Sequence, residues 1–258
     1  MDLELISRSP ASPARPTPLL FIHGAWCWEE HFLDCFAEHG YAAYALSLRA
    51  HGKSEGRQGL RWARVAGYVE DVAQVAAQLP SPPVVIGHSM GGFVVLKYLE
   101  KHTALAGVLL ASVPHYGALP ALLRIGRQHP IQAMKIFLML SPKQLIATPA
   151  LTRQAFFSSN MPDEQLNHYF SLMQEESFLG FLDMAALALP KPSRVKAPLL
   201  VMGAAGDQNF LPHEVQATAR AYGTEAVIVP DIAHDVMLEA RWQAVASHIL
   251  NWLRTQGL

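Results

Sequence analysis

The stretch Val84-Val85-Ile86-Gly87-His88-Ser89-Met90-Gly91-Gly92-Phe93-Val94-Val95-Leu96 constrains this chain more than any other. It opens with an unbroken run of β-branched residues, the composition of a strand buried on both faces. The run ends in Gly-His-Ser-Met-Gly, and an apolar segment of helical period (Phe93, Leu96, Lys97, Leu99, Glu100) follows at once. A Gly-x-Ser-x-Gly turn between a buried strand and a helix is a nucleophile elbow, so tight that its serine is strained. Gly87 and Gly91 are expected to be glycine because a side chain at either would strike the neighbouring strand or helix. The turn lifts Ser89 above the carboxyl end of its strand. It also points the amino end of the next helix at whatever bonds to the serine oxygen, where N–H groups and the helix dipole favour an anion.

Residues 9 to 18 carry four prolines and read as an irregular loop after a short amino-terminal strand. Leu19-Leu20-Phe21-Ile22, closed by His23-Gly24, reads as a central strand. Glu29 to His39 reads as a helix with Phe32, Leu33, Phe36 and Ala37 on its inner face and Gly40 as its stop. Tyr41 to Leu48 is the next strand, and Arg49 to Ser54 a loop of turn formers. Val65, Val69, Val72, Val75, Ala76 and Leu79 recur at helical spacing over 64 to 79. Leu105 to Ser112 is a further buried strand. Strands alternating with helices of this length imply βαβ crossovers and a mostly parallel sheet.

The alternation stops at Val113-Pro114 and resumes only at Pro198, after about eighty residues without strand signals, too many for a connecting loop. Segments 117 to 126, 129 to 140, 163 to 175 and 177 to 189 read as helices, the third with Leu166, Tyr169, Phe170 and Met173 on one face. The expectation is a core of residues 1–113 and 193–258 with a helical cap of residues 114–192 laid over the sheet. The Met and Phe content of that cap (Met134, Phe137, Met139, Phe156 and Phe181 among others) suggests an apolar, adaptable roof over a cavity. Beyond it, Leu199 to Met202 returns to strand, Pro212 opens a helix to Tyr222, Ala226 to Pro230 is the last strand, and a helix over 240 to 253 closes the domain.

Composition removes several classes of function. With 51% apolar and 16% charged residues among 258, the chain can bury a large core. A net charge of −1 attracts no polyanion, so nucleic acid is not an expected partner. The two cysteines, Cys27 and Cys35, lie in no metal-ligand spacing, and neither a disulfide framework, a metal site nor a cofactor is implied. The amino-terminal segment lacks a basic n-region and a long apolar run, and no stretch reaches the ~18 apolar residues of a spanning helix. A cytoplasmic protein is therefore expected.

A serine hydroxyl needs a base within reach, and that base a carboxylate to fix its tautomer. In an open parallel sheet, reacting groups gather beyond the carboxyl ends of the strands. Asp207 follows the strand of Leu199 to Met202, and His234 follows that of Ala226 to Val229. Both should land on the rim that holds Ser89. His234 alone among twelve histidines stands after the last strand and before the last helix. Asp231 and Asp235 are too close to it in sequence to approach its ring, and Asp183 lies in the cap. Oxyanion donors would be the backbone N–H of Met90 and, from the loop after Ile22, that of Ala25 or alternatively Trp26. Trp26 is also a candidate to line the substrate pocket. His23 reads as a loop brace.

The segments Phe21-Ile22-His23-Gly24-Ala25-Trp26, Leu46 to Ser54, Gly87-His88-Ser89-Met90-Gly91-Gly92, Gly206-Asp207 and Ala233-His234-Asp235-Val236-Met237-Leu238-Glu239 together resemble the α/β-hydrolase superfamily. Within it they are similar to the cap-bearing serine esterases and lysophospholipase-like hydrolases. The chain order Ser89, Asp207, His234 is that superfamily's order. The resemblance implies an α/β-hydrolase fold and a small-molecule ester as partner, cleaved through an acyl-enzyme with short- to medium-chain apolar acyl groups. Relatives with an aspartate nucleophile, the haloalkane dehalogenases and epoxide hydrolases, do not fit Ser89. Ala50 stands where the family's loop has glycine. Two other readings stay open: a cofactor-free lyase or perhydrolase, with Lys191 or Lys196 as a lyase's cation, and a ligand receptor with vestigial hydrolysis.

Overall fold

In the computed structural model, residues 1–258 are described except Ala11, Ala25, Trp26, Cys27 and Glu29. Seven strands form one sheet: β1 (Leu5–Arg8), β2 (Leu19–Ile22), β3 (Ala43–Leu46), β4 (Val84–His88), β5 (Ala106–Leu110), β6 (Leu199–Ala204) and β7 (Ala226–Val229). Their spatial order is β1-β3-β2-β4-β5-β6-β7, with β1 antiparallel to β3 and every other pair parallel. Every residue of β2, β4, β5 and β6 is buried, which explains their near-continuous Val, Ile and Leu.

Both faces of the sheet are covered. On one, α1 (Phe32–Glu38) and α10 (Trp242–Thr255) pack against Leu19, Phe21, Ile86 and Val108. On the other, α2 (Val65–Ala76), α3 (Met90–Leu99) and α9 (Pro212–Ala221) pack against Leu20, Ile22, Val85 and Leu109. The inner face expected for the first of these, Phe32, Leu33, Phe36 and Ala37, is buried as such. Full burial of a side chain of this size contributes about 2–3 kcal/mol. The loop Arg49 to Ser54 is fixed to α2 by the Arg49 guanidinium and amide, both donating to the buried Asp71 carboxylate at 2.8–3.0 Å.

The strand order places the site. From β2 the chain moves outward to β3, then crosses back to the other side of β2 as β4. That reversal leaves a crevice at the carboxyl ends of β2 and β4, where open α/β sheets bind ligands. Ile22 is in register with Gly87, so the chain leaves both strands at the same level, and a Cβ on Gly24 would lie 2.9 Å from that of Ser89.

Between β5 and β6 the chain is helical: α4 (Leu119–Gln128), α5 (Pro130–Met139), α6 (Pro149–Phe156), α7 (Asp163–Leu172) and α8 (Phe178–Leu182), the last running into a wide helical turn over Asp183–Leu187. The sequence reading missed α6. Its signal was Thr148-Pro149: the Thr148 hydroxyl accepts from the Leu151 amide, and proline opens the first turn. The segments read as 163 to 175 and 177 to 189 end sooner, because Met173 turns to extended backbone and the last turn widens at Asp183. The roof is also built differently from expectation. Of the Met and Phe residues, Phe156 and Phe181 line the cavity beneath, whereas Met134, Phe137 and Met139 are exposed. Phe157, Met161 and Met173 join the packed core instead. No helix among the described residues is long and apolar enough to cross a membrane.

Candidate active site

Ser89 stands between β4 and α3 with φ 52° and ψ −116°, a conformation that costs a non-glycine residue energy and persists only where its surroundings impose it. They do so through the two flanking glycines. A Cβ at Gly87 would run into the backbone of Gly91 and Gly92, and one at Gly91 into the carbonyl of Ile22. Neither glycine has a positive φ, so contact rather than conformational freedom demands them. Gly92 similarly leaves room for Ser112. The elbow is pinned from outside by the Ser89 amide donating to Leu110 O at 3.0 Å and the Val113 amide donating to Ser89 O at 3.2 Å.

The loops after β6 and β7 bring the other two groups to this point. Asp207 Oδ1 accepts from the amides of Asn209 and Phe210 at 2.7 and 3.1 Å, which fixes the carboxylate in its turn. Its Oδ2 accepts from His234 Nδ1 at 2.8 Å, and His234 Nε2 faces Ser89 Oγ at 3.0 Å. Asp207 and His234 are each 1% exposed. With Nδ1–H committed to Asp207, Nε2 is the acceptor for the serine hydroxyl. Burial alone would lower the imidazole's pKa, but the Asp207 carboxylate, with Asp235 adding to it, leaves His234 above its ordinary value. The competing carboxylates go elsewhere. Asp231 pairs with Arg241 at 2.6 Å, and Asp183 pairs with Arg64. Asp235 is raised to about 7, chiefly by burial.

The histidines around Ser89 and His234 are neutral supports. His23 Nε2 accepts from the Leu48 amide at 3.0 Å and Nδ1–H donates to Gly24 O at 2.7 Å, the bracing expected of it. Burial, with His51 adjacent, lowers its pKa to about 4. His88 Nε2–H donates to His234 O at 3.0 Å. Burial and the neighbouring His234 depress it well below its usual range. His88, His234 and Asp235 are the one group among the described residues with donor atoms close enough for a metal, within 4.8 Å. Both ring nitrogens of His234 and Nε2 of His88 already serve the hydrogen bonds just given.

Several residues that hold His234 escaped the sequence reading. Phe156, at the end of α6, stacks on its ring at 5.3 Å and 23°, and Phe210 packs at 5.6 Å. The Asp235 amide donates to Phe156 O. Glu239, 2% exposed, accepts from the Ser158 hydroxyl at 2.8 Å and from the amides of Ser158 and Ala233. The histidine loop is thereby tied to the helical insertion. Glu239 lay in the matched segment, but its partner 81 residues away could be found only in space.

A cavity of about 160 Å³ opens beside Ser89 and His234, under the insertion. Its walls are apolar (Val113, Leu122, Ile125, Ile146, Phe181 and Met184 among them), with Lys143, Gln174, Glu176 and Asn209 as polar points. Met90, whose amide is the first of α3, lines it too. Lys143 Nζ donates to Met173 O at 2.7 Å. Lys191 and Lys196, the candidates for a lyase's cation, are exposed and do not line the cavity. Ala25 and Trp26 lie outside the described residues; Gly24, immediately before them, abuts Ser89 and the His88 carbonyl.

An open, mostly parallel sheet carrying a serine elbow and a histidine and aspartate on later strand ends defines a class of protein. The chain belongs to the Alpha/beta hydrolase family, whose model matches residues 19–248. A monoacylglycerol lipase of Mycolicibacterium smegmatis is 23% identical over 235 residues, covering 86% of this chain and 81% of that protein. Among solved structures, a thermophilic esterase of Thermogutta terrifontis superposes with a TM-score of 0.75 at 19% identity, over 98% of this chain and 93% of the other. A Mycobacterium tuberculosis protein described as a candidate non-heme bromoperoxidase, BpoC, gives 0.79 at 18% identity, over 99% and 97%. At such identities the structural likeness is one of fold.

Proposed function

We propose that this chain is a serine hydrolase that cleaves carboxylic esters through a Ser89-His234-Asp207 triad and an acyl-enzyme. The observation that carries the reading is the continuous relay from Asp207 Oδ2 through His234 to Ser89 Oγ, at 2.8 and 3.0 Å. His234 Nε2 takes the proton as Ser89 Oγ attacks the ester carbonyl, then gives it to the leaving alcohol; the same nitrogen next activates water, which releases the acid and restores Ser89. Asp207 fixes the tautomer and steadies the imidazolium. The Met90 amide and that of Ala25 (or Trp26) would hold the oxyanion, and Trp26 would border the substrate. The place of Gly24, the residue before Ala25, supports this: a Cβ there would lie 2.9 Å from that of Ser89.

Residues 114–192 act in this reading as a cap domain over a core of 1–113 and 193–258. The named lipase and esterase relatives support ester hydrolysis. The cavity supports the acyl length. At about 160 Å³ it matches apolar cavities of about 150 Å³ that take up benzene, room for an acyl chain of about six carbons. The test is a series of p-nitrophenyl esters of increasing acyl length with the native chain and Ser89→Ala. The expected result is a rate maximum at short to medium chains and its loss in the variant. Turnover by Ser89→Ala comparable to that of the native chain would refute the mechanism. Lactones, thioesters, peracid formation and mandelonitrile cleavage, run in the same panel, separate the esterase from a perhydrolase or lyase. No turnover of any of them, with ligand binding retained, would indicate a receptor.

A further inference from the structure

The helices α4 and α5 have two unlike faces. Inward, Ala121, Leu122 and Ile125 line the cavity. Outward, Leu119, Leu123, Ile131, Met134, Leu138 and Met139 are all exposed, Leu138 to 74%. The two helices approach at Gly126, where a Cβ would touch that of Ala133 at 3.5 Å, so these residues belong to one hairpin. Large apolar side chains concentrated this way on a surface mark an interaction site rather than ordinary exposure.

Charge identifies the occupant. From residue 101 to residue 162 the chain contains no Asp or Glu and six Lys or Arg, although the whole protein carries a net −1. Within the insertion, Arg124 is engaged by Glu214, Arg153 by Asp163, and Lys143 by the Met173 carbonyl. Arg127 and Lys135, on α4 and α5, are exposed and have no acidic partner among the described residues. A helical surface of leucine, isoleucine and methionine with unpaired cations is suited to lie in the interface of a lipid layer. A second copy of the chain would bring the same cations onto its own, with no acid in the hairpin to meet them.

We infer that the outer face of the α4–α5 hairpin docks on a lipid surface carrying anionic headgroups, inserting its apolar side chains while Arg127 and Lys135 meet the headgroups. The cavity wall formed by Ala121, Leu122 and Ile125 is thereby held one helix's thickness from the layer. The docking does not depend on the reaction proposed for Ser89.

The test is co-sedimentation of the full chain with vesicles of phosphatidylcholine alone and of phosphatidylcholine mixed with phosphatidylglycerol. The expected result is binding that is stronger on the mixed vesicles and weakened by salt. A basic residue near an anionic surface contributes about fivefold in partition, so Arg127→Gln with Lys135→Gln should bind the mixed vesicles ~thirtyfold more weakly. Ile131→Ser with Leu138→Ser should lose binding to both. Both pairs should keep native turnover of a soluble p-nitrophenyl ester, or, if the chain cleaves none, native thermal unfolding. Ser89→Ala should bind as the native chain does, which separates failure of docking from failure of the proposed chemistry. Native protein that stays in the supernatant with both vesicle types would overturn the inference. So would a dimer in sedimentation velocity that Leu138→Ser converts to monomer.

Discussion

At the rim of the sheet Ser89 and Asp207 are held by backbone hydrogen bonds; the helical insertion above them is joined to the core by apolar packing and by a set of side-chain ties. Ser89 is fixed by its own strained turn, by glycines that admit no Cβ, and by backbone hydrogen bonds to Leu110 at the end of β5 and to Val113 beyond it. Asp207 is fixed by two backbone amides. The insertion is anchored instead through Arg64 on Asp183, Arg124 on Glu214, Ser158 on Glu239 and Tyr68 on Glu176. The difference teaches where variation is tolerated. The backbone hydrogen bonds at the rim survive side-chain substitution, whereas the side-chain ties of the insertion do not.

The sharpest way to break this comparison is at the relay. Ser89→Ala is expected to lower kcat for a soluble ester by about 10⁶-fold and Asp207→Asn by about 10⁴-fold, with the fold retained, as read by steady-state kinetics beside circular dichroism. A milder loss at Asp207 would mean that the rim is less tightly defined than its hydrogen bonds indicate.

The pH profile tests the electrostatics of the same relay. The proposed reaction requires neutral His234, whose pKa is raised by the Asp207 and Asp235 carboxyl groups against the lowering effect of burial. The rate should therefore fall as pH is lowered through a value above 6.5, the ordinary histidine pKa. Asp207→Asn should move that fall to lower pH, because the charge that stabilised the imidazolium is gone. A limb that stays in place would show that another group titrates.

Smaller effects are expected from structure than from chemistry. Gly91→Ala forces a Cβ against the Ile22 carbonyl and should cost about 3 kcal/mol in urea unfolding, the upper range for overpacking. Glu239→Ala removes buried, charged hydrogen bonds to Ser158 and to the His234 loop; about 2 kcal/mol should be lost, together with a fall in kcat at little changed KM. If kcat is unchanged, the tie between roof and rim is structural only. The smallest effect is predicted on the outer face, where Met134→Ser should shift stability by no more than about 0.5 kcal/mol.

Much of the rim was legible in the chain, and the roof much less. Buried strands announce themselves as continuous Val, Ile and Leu runs, and the residue following each such run in a parallel sheet must stand at the same edge. That single rule brought Ser89, Asp207 and His234 together before any coordinate was known. Gly87 and Gly91 were legible for a related reason, since a turn between a strand and a helix leaves no room beside either. Helix α6 was missed because it is only eight residues long, and its start is marked only by Thr148 and Pro149. The inward or outward direction of Met134, Phe137 and Met139 was misjudged because a helix with apolar residues around most of its circumference does not declare which side faces the core.

The sequence by itself determined that Ser89, Asp207 and His234 stand at one rim of the sheet, because backbone geometry at strand ends and tight turns follows from local pattern. Only the tertiary structure decided what surrounds them. Phe156 on the His234 ring, Glu239 on Ser158, the size of the cavity, and the apolar face turned to solvent all arise from contacts between residues far apart in the chain. No local period encodes such pairings; they are fixed when helices of the insertion choose their faces against the sheet.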